Sequence, residues 1–211
     1  MLLPSLGRIK QRQLFKDLNY LNMDEIRKFC DKHAIPYAIW IKGLDGKSHR
    51  TRERDHKGII LKRIRHFLLT GDILRPTVFP GSAVHLNVTP GMVRPTGKLY
   101  YGQYDKNSER MTTLLKRLTG GRFRSGAIAR IVARKFWSDG KAPTYREFAV
   151  AWLKAMEKHT RPNPEWAFLS DLADKKDVSK WRQRREAKAK QVLRILGRVE
   201  MPSARREGRK S

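Results

Sequence analysis

Between residues 47 and 54 the chain reads Lys-Ser-His-Arg-Thr-Arg-Glu-Arg, with cations at Lys47, Arg50, Arg52 and Arg54. Phosphate recognition asks for cations on a rigid mount more than for any one fold, and a run of this kind supplies them. A second cluster follows at Lys57, Lys62, Arg63 and Arg65, and a third at Arg182, Arg184, Arg185 and Lys188. All three also read as the solvated faces of a very basic protein. The third lies in Trp181–Lys190, a basic face on an amphipathic helix. Such a face suits a phosphate backbone, an anionic membrane surface, or plain packing with arginine stems laid over apolar surface.

Catalytic patterns are sparse. Asp55-His56 is the one acid–histidine neighbour pair that could prepare a base, and at a helix start the same pair serves equally as a cap and a charge near the dipole. A nuclease would need further carboxylates for its metal. Histidines 33, 49, 56, 66, 85 and 159 show neither HExxH nor a His-Cys zinc spacing. Cys30 is the single cysteine, which excludes an intrachain disulfide and an intrachain cysteine zinc cluster and fits a reducing compartment. No catalytic residue, cofactor or metal is therefore assigned. Gly120-Gly-Arg-Phe-Arg-Ser-Gly126 is a glycine-bearing turn into a helix, without Walker A or GxGxxG spacing. It reads as a helix connection, and as a helix-turn-helix with Arg130, Arg134 and Lys135 if the flanking helices cross steeply.

The 211 residues carry 47 Lys+Arg against 20 Asp+Glu, a net charge of +27. The excess is +11 in residues 1–98 and +16 in residues 99–211, so it is not one detachable tail. Self-repulsion on this scale points to a polyanionic partner whose binding weakens steeply with salt. No stretch of about 18 apolar residues occurs and the N-terminus lacks a signal-peptide pattern. The expectation is a cytosolic protein, nucleoid-associated if bacterial, with no membrane partner.

These clusters need elements to carry them. Residues 22–33 predict a helix with Asn22 and Glu25 at capping-box spacing and Ile26, Phe29 and Cys30 on one face, ended by Ala34-Ile-Pro36. Residues 37–52 predict a β-hairpin around Gly43-Leu-Asp-Gly46. A second helix is predicted from Asp55 to Leu69, stopped by Gly71. Residues 74–98, rich in proline and glycine, read as a linker in which only Ala83–Val88 alternates like a strand. Helices are then predicted over Ser108–Leu118, Gly126–Trp137 and Tyr145–Lys158, the last opened by Thr144 and Glu147. Pro162 and Pro164 break the chain before Trp166–Leu172, and a long basic helix spans Val178–Leu196. Residues 201–211 read as a disordered basic tail. Of the tryptophans, only Trp40, on the ribbon, is placed to meet a ligand; the others read as core.

Leu21–Pro36 resembles the first helix of a SAP domain, and His56-Lys-Gly-Ile-Ile-Leu-Lys-Arg-Ile64 resembles the second, with the family's lysine at Lys57 and its arginine–apolar pair at Arg63-Ile64. The arrangement of a SAP-like start, a Pro-rich link and a helical region is similar to bacterial SAP-containing proteins. The resemblance implies a small helical DNA-binding module contacting DNA through the inter-helix loop and the start of its second helix, hence through Lys57 with Arg63 in support. The family's glycine after helix one is Ala34 here, and its short turn is replaced by the Tyr37–Asp55 insert.

The expected fold is mainly α: a SAP-like helix-loop-helix (1–73) with a hairpin insert (37–52), a linker (74–98), a C-terminal helical lobe (99–200) and a tail (201–211). The expected function is non-enzymatic DNA binding through phosphate contacts with low sequence specificity, the DNA being duplex. RNA or ribonucleoprotein binding, a metal-dependent nuclease, and a protein partner for the C-terminal lobe stay open as alternatives.

Overall fold

The structure, a computed structural model, describes residues 6–43, 46–85, 93–158 and 178–199. Among them are seven α-helices and a small three-stranded sheet, a mainly α architecture. The chain divides into two units, Met1–Tyr37 with Asp55–Arg75 and Pro162–Ser211, and Ala38–Arg54 with Pro76–Arg161. Trp166–Leu172 and the 201–211 tail lie outside the described residues.

The first unit contains α1 (Arg8–Asp17), a 3-10 turn (Leu18–Tyr20), α2 (Met23–Lys32), α3 (Lys57–Thr70) and α7 (Val178–Leu196). Helix α2 starts where the spacing predicted. Asn22 Oδ1 accepts from the Asp24 and Glu25 amides at 3.0 and 2.9 Å, and Glu25 Oε2 accepts from the Asn22 amide at 2.7 Å. Beyond its end Ala34 sits at φ +54°, a left-handed backbone that costs an L-residue about 1–2 kcal/mol. Helix α3 ends at Gly71, φ +82°, whose amide donates to the Phe67 carbonyl. The core joins Leu14 of α1, Ile26 and Phe29 of α2, Ile60, Ile64 and Phe67 of α3, and Ala189, Val192 and Leu196 of α7.

His33 is 1% exposed in this core, its ring 4.4 Å from that of Phe29 and 5.1 Å from that of Phe67. Burial, with Lys32 adding to it, pushes its pKa below the ordinary 6.5. A depressed folded-state value means that the unfolded chain takes up the proton first. The first unit therefore keeps this contribution above pH 6.5 and loses it as pH falls from there through the folded value. Urea midpoints at pH 7.5 and 5 are expected to fall further in the wild type than in His33→Phe; equal falls would remove His33 as the cause. Cys30, also buried, has its thiol pushed up to about 12 by the same desolvation.

The second unit contains β1 (Ala38–Lys42), β2 (Ser48–Arg54), β3 (Val78–Phe79), α4 (Glu109–Leu118), α5 (Ala127–Ser138) and α6 (Tyr145–Lys158). The sheet order is β2-β1-β3, with β2 antiparallel and β3 parallel to β1. Thr144 and Glu147 cap α6 as their spacing predicted, Glu147 Oε2 accepting from the Thr144 amide at 2.7 Å and Thr144 Oγ1 from the Glu147 amide at 3.1 Å. Helix α6 packs against both α4 and α5. Around it Ile39, Phe79, Leu99, Phe123, Trp137, Phe148 and Trp152 form the core.

Several groupings differ from the expectations. The predicted insert 37–52 forms its hairpin, but as part of the second unit's sheet, because β1 pairs with β3 and sends Ile39 and Ile41 into that core. Residues 74–98 do more than link: Phe79 and Ala83 are fully buried. The strand there is Val78–Phe79, whereas Ala83 ends a 3-10 turn, Val84 makes an isolated bridge to Tyr101, and residues 86–88 lie outside the described residues. Helix α7, expected in a 99–200 lobe, belongs to the first unit, since its apolar stripe completes that unit's core. Helix α1 was not predicted.

Candidate nucleic-acid interface

Strand β2 is an edge strand, and side chains alternate between its faces. Arg50, Arg52 and Arg54 are exposed, while Thr51 and Glu53 are half-buried. Thr51 Oγ1 donates to the Ile39 carbonyl at 2.8 Å and accepts from the Glu53 amide at 3.1 Å, which holds the strand where its register to β1 is irregular. The only acid in this run, Glu53, is taken by Arg134 of α5 at 2.5 Å. Arg134 also donates to the Arg54 carbonyl at 3.0 Å. The ribbon is thus braced from behind, its negative charge is neutralised, and its arginines are left to solvent. Lys47, at the start of the strand, is exposed as well.

The other candidates divide sharply. Lys57 is 7% exposed, its Nζ donating to the Asn19 carbonyl at 2.5 Å. Arg63 is buried too: it pairs with Asp55 at 2.6 Å and donates to the Pro36 carbonyl at 2.9 Å. With the Asp55 amide donating to the Tyr37 carbonyl at 2.9 Å, these contacts clamp the two chain ends where the first unit gives way to the ribbon. Arg65 donates to the Phe15 carbonyl at 3.1 Å. Arg185 pairs with Glu25 and reaches the Tyr20 carbonyl, and Lys188 pairs with Asp17 at 2.6 Å and lies over the Tyr20 ring. These five cations were expected to face a polyanion; each is engaged by an acceptor within the first unit. Lys62, Arg182 and Arg184 remain exposed.

The same contacts bear on the alternatives. The Asp55 carboxylate is engaged by Arg63, and among the described residues no group of three or more His, Cys, Asp or Glu could hold a metal ion. Arg134 is committed to the ribbon, so the helix-turn-helix reading keeps only Arg130 and Lys135 as exposed cations. Gly120 and Gly121, at φ +60° and +80°, make the turn after α4, the Gly121 amide donating to the Lys116 carbonyl. Among the described tryptophans, Trp137 and Trp152 are core, while Trp40 and Trp181 are half-buried.

Comparison with family models, with curated proteins and with solved structures returns no match. Any functional reading therefore rests on the residues themselves. Ala34 occupies the left-handed conformation that glycine adopts without cost. Among the described residues no helix is long and apolar enough to cross a membrane.

Proposed function

We propose that this protein binds nucleic acid, duplex DNA above all, by phosphate contacts of low sequence specificity and without cleaving it. The observation that carries the reading is the exposed row Arg50, Arg52 and Arg54 on a strand braced by Arg134, with no acid left in the run to compete for them. The net charge of +27 supplies the long-range attraction. Lys62 of α3 and Arg182 and Arg184 of α7 extend the cationic surface of the first unit. Helices α2 and α3 are proposed as a SAP-like pair in which the contacts have passed from the second helix to the ribbon, because Lys57 and Arg63 are spent inside. A cytosolic, nucleoid-associated setting belongs to the same proposal.

Fluorescence anisotropy of labelled duplex DNA, single-stranded DNA and structured RNA across a salt series, with and without magnesium, tests it. Duplex binding that weakens steeply with salt and leaves the DNA intact is expected. No duplex binding at low salt would overturn the reading, and preference for RNA would move the partner to RNA.

A further inference from the structure

On the face of β2 opposite its exposed arginines, Glu53 helps to line a cavity of about 270 Å³ together with Tyr101, Tyr104, Arg130, Arg134 and Trp137. Arg130 and Arg134 stand four residues apart on α5 and so share one helix face. Their situations differ. Arg134 is held by Glu53, whereas Arg130 is exposed and has no acidic partner among the described residues. The carboxylate of Glu53 is itself engaged by Arg134. The Tyr104 hydroxyl is buried with no hydrogen-bond partner. Buried polar groups rarely stay so unless a water or a ligand completes them. Burial raises the Tyr104 pKa from 10, so the phenol is protonated at neutral pH and available to donate. The cavity therefore offers spare donors and a surplus positive charge, while its one carboxylate is paired with Arg134.

Its size falls below the roughly 300 Å³ at which pockets for drug-sized ligands begin, which suits a small oxyanion. A phosphate group supplies the acceptors the lining lacks. A duplex end can bring its terminal phosphate into a recess where the internal, chain-linked phosphates cannot follow. We propose that this cavity receives the terminal phosphate of a nucleic-acid strand, with Arg130 and the Tyr104 hydroxyl donating to its oxygens. The strand as the source rests on the nucleic-acid reading above; the affinity for phosphate does not.

Two measurements on the full chain separate these. Inorganic phosphate is titrated while the Trp137 indole N–H, which donates to the Leu99 carbonyl, is followed by NMR. Anisotropy then compares a duplex with 5′-phosphate ends to the same duplex with 5′-hydroxyl ends. Saturable shifts are expected, with about tenfold tighter binding of the phosphorylated duplex, the size of one charge-assisted hydrogen bond. Arg130→Gln should abolish that preference and Tyr104→Phe should reduce it, each judged against its own 5′-hydroxyl binding. Arg130 is exposed and the Tyr104 change removes one oxygen, so both variants keep the core. Absent shifts with equal affinity for the two duplexes would overturn the proposal. Saturable shifts that Arg130→Gln abolishes, with equal duplex affinities, would overturn the strand end as the source and leave free phosphate as the ligand. Failure of both duplexes to bind would strike the nucleic-acid reading, and the phosphate titration would still decide the pocket.

Discussion

Arg63→Ala is expected to destabilise the first unit by about 3–5 kcal/mol, the range found when one partner of a buried ion pair is removed. The Asp55 and Arg63 side chains are 2% and 6% exposed, so truncation takes from a buried carboxylate the guanidinium that pairs with it. It also removes the donor to the Pro36 carbonyl, at the point where the chain leaves for the ribbon. With a total stability typically of about 5–15 kcal/mol, such a loss is severe. The paired change Asp55→Leu with Arg63→Met should cost much less, because no lone charge stays buried. Urea denaturation, with hydrogen exchange at Ile64 and Phe67 as the local reporter, measures both. Equal losses in the single and paired variants would show that the packing of Arg63, and not its charge, stabilises the first unit.

Replacing Arg50, Arg52 and Arg54 together by glutamine is expected to weaken duplex binding by roughly a hundredfold at low salt. The same change should flatten log K against log salt by about 2–3, at about 0.9 for each phosphate no longer neutralised. The exposed side chains carry little of the fold, so stability should change by no more than about 0.5 kcal/mol per site. Glu53 stays with Arg134, and the brace behind the strand is kept. A matched variant at Lys62, Arg182 and Arg184 ranks the first unit's surface against the ribbon. An unchanged slope in the ribbon variant would remove β2 as the phosphate-binding edge. Arg134→Ala should give an intermediate result, since it frees Glu53 to pull the neighbouring arginines away from phosphate.

Local patterns were legible where a cap and an apolar face agree. Asn22 with Glu25, Thr144 with Glu147, and Gly71 each marked a helix end that the structure contains. Helix α1 gave no such signal: its buried positions are Gln11, Leu14 and Asp17, while Ile9 is 85% exposed. Strand β3 has two residues and pairs with β1 across intervening chain, so no period announces it. The site was half legible for a related reason. Lys57 lies one helical turn before Ile60 and Leu61, and Arg63 one turn before Phe67, which places both in phase with the buried face of α3. Their charge argued for solvent, and the nearby acceptors of Asn19, Asp55 and Pro36 decided otherwise. Arg185 and Lys188 found their acids more than 150 residues earlier, a pairing that no local window reveals.

Helix α7 closes a core begun at Leu14, and this matters for a chain made from one end. As synthesis proceeds, the second unit has all of its chain by Arg161 and can fold while the rest is still being added. The first unit, although it begins earlier, must hold Leu18, Ile26, Phe67 and their neighbours without Ala189, Val192 and Leu196 until α7 emerges. The unit started first is thus completed after the other, and its unfinished apolar surface exposes the nascent chain to aggregation.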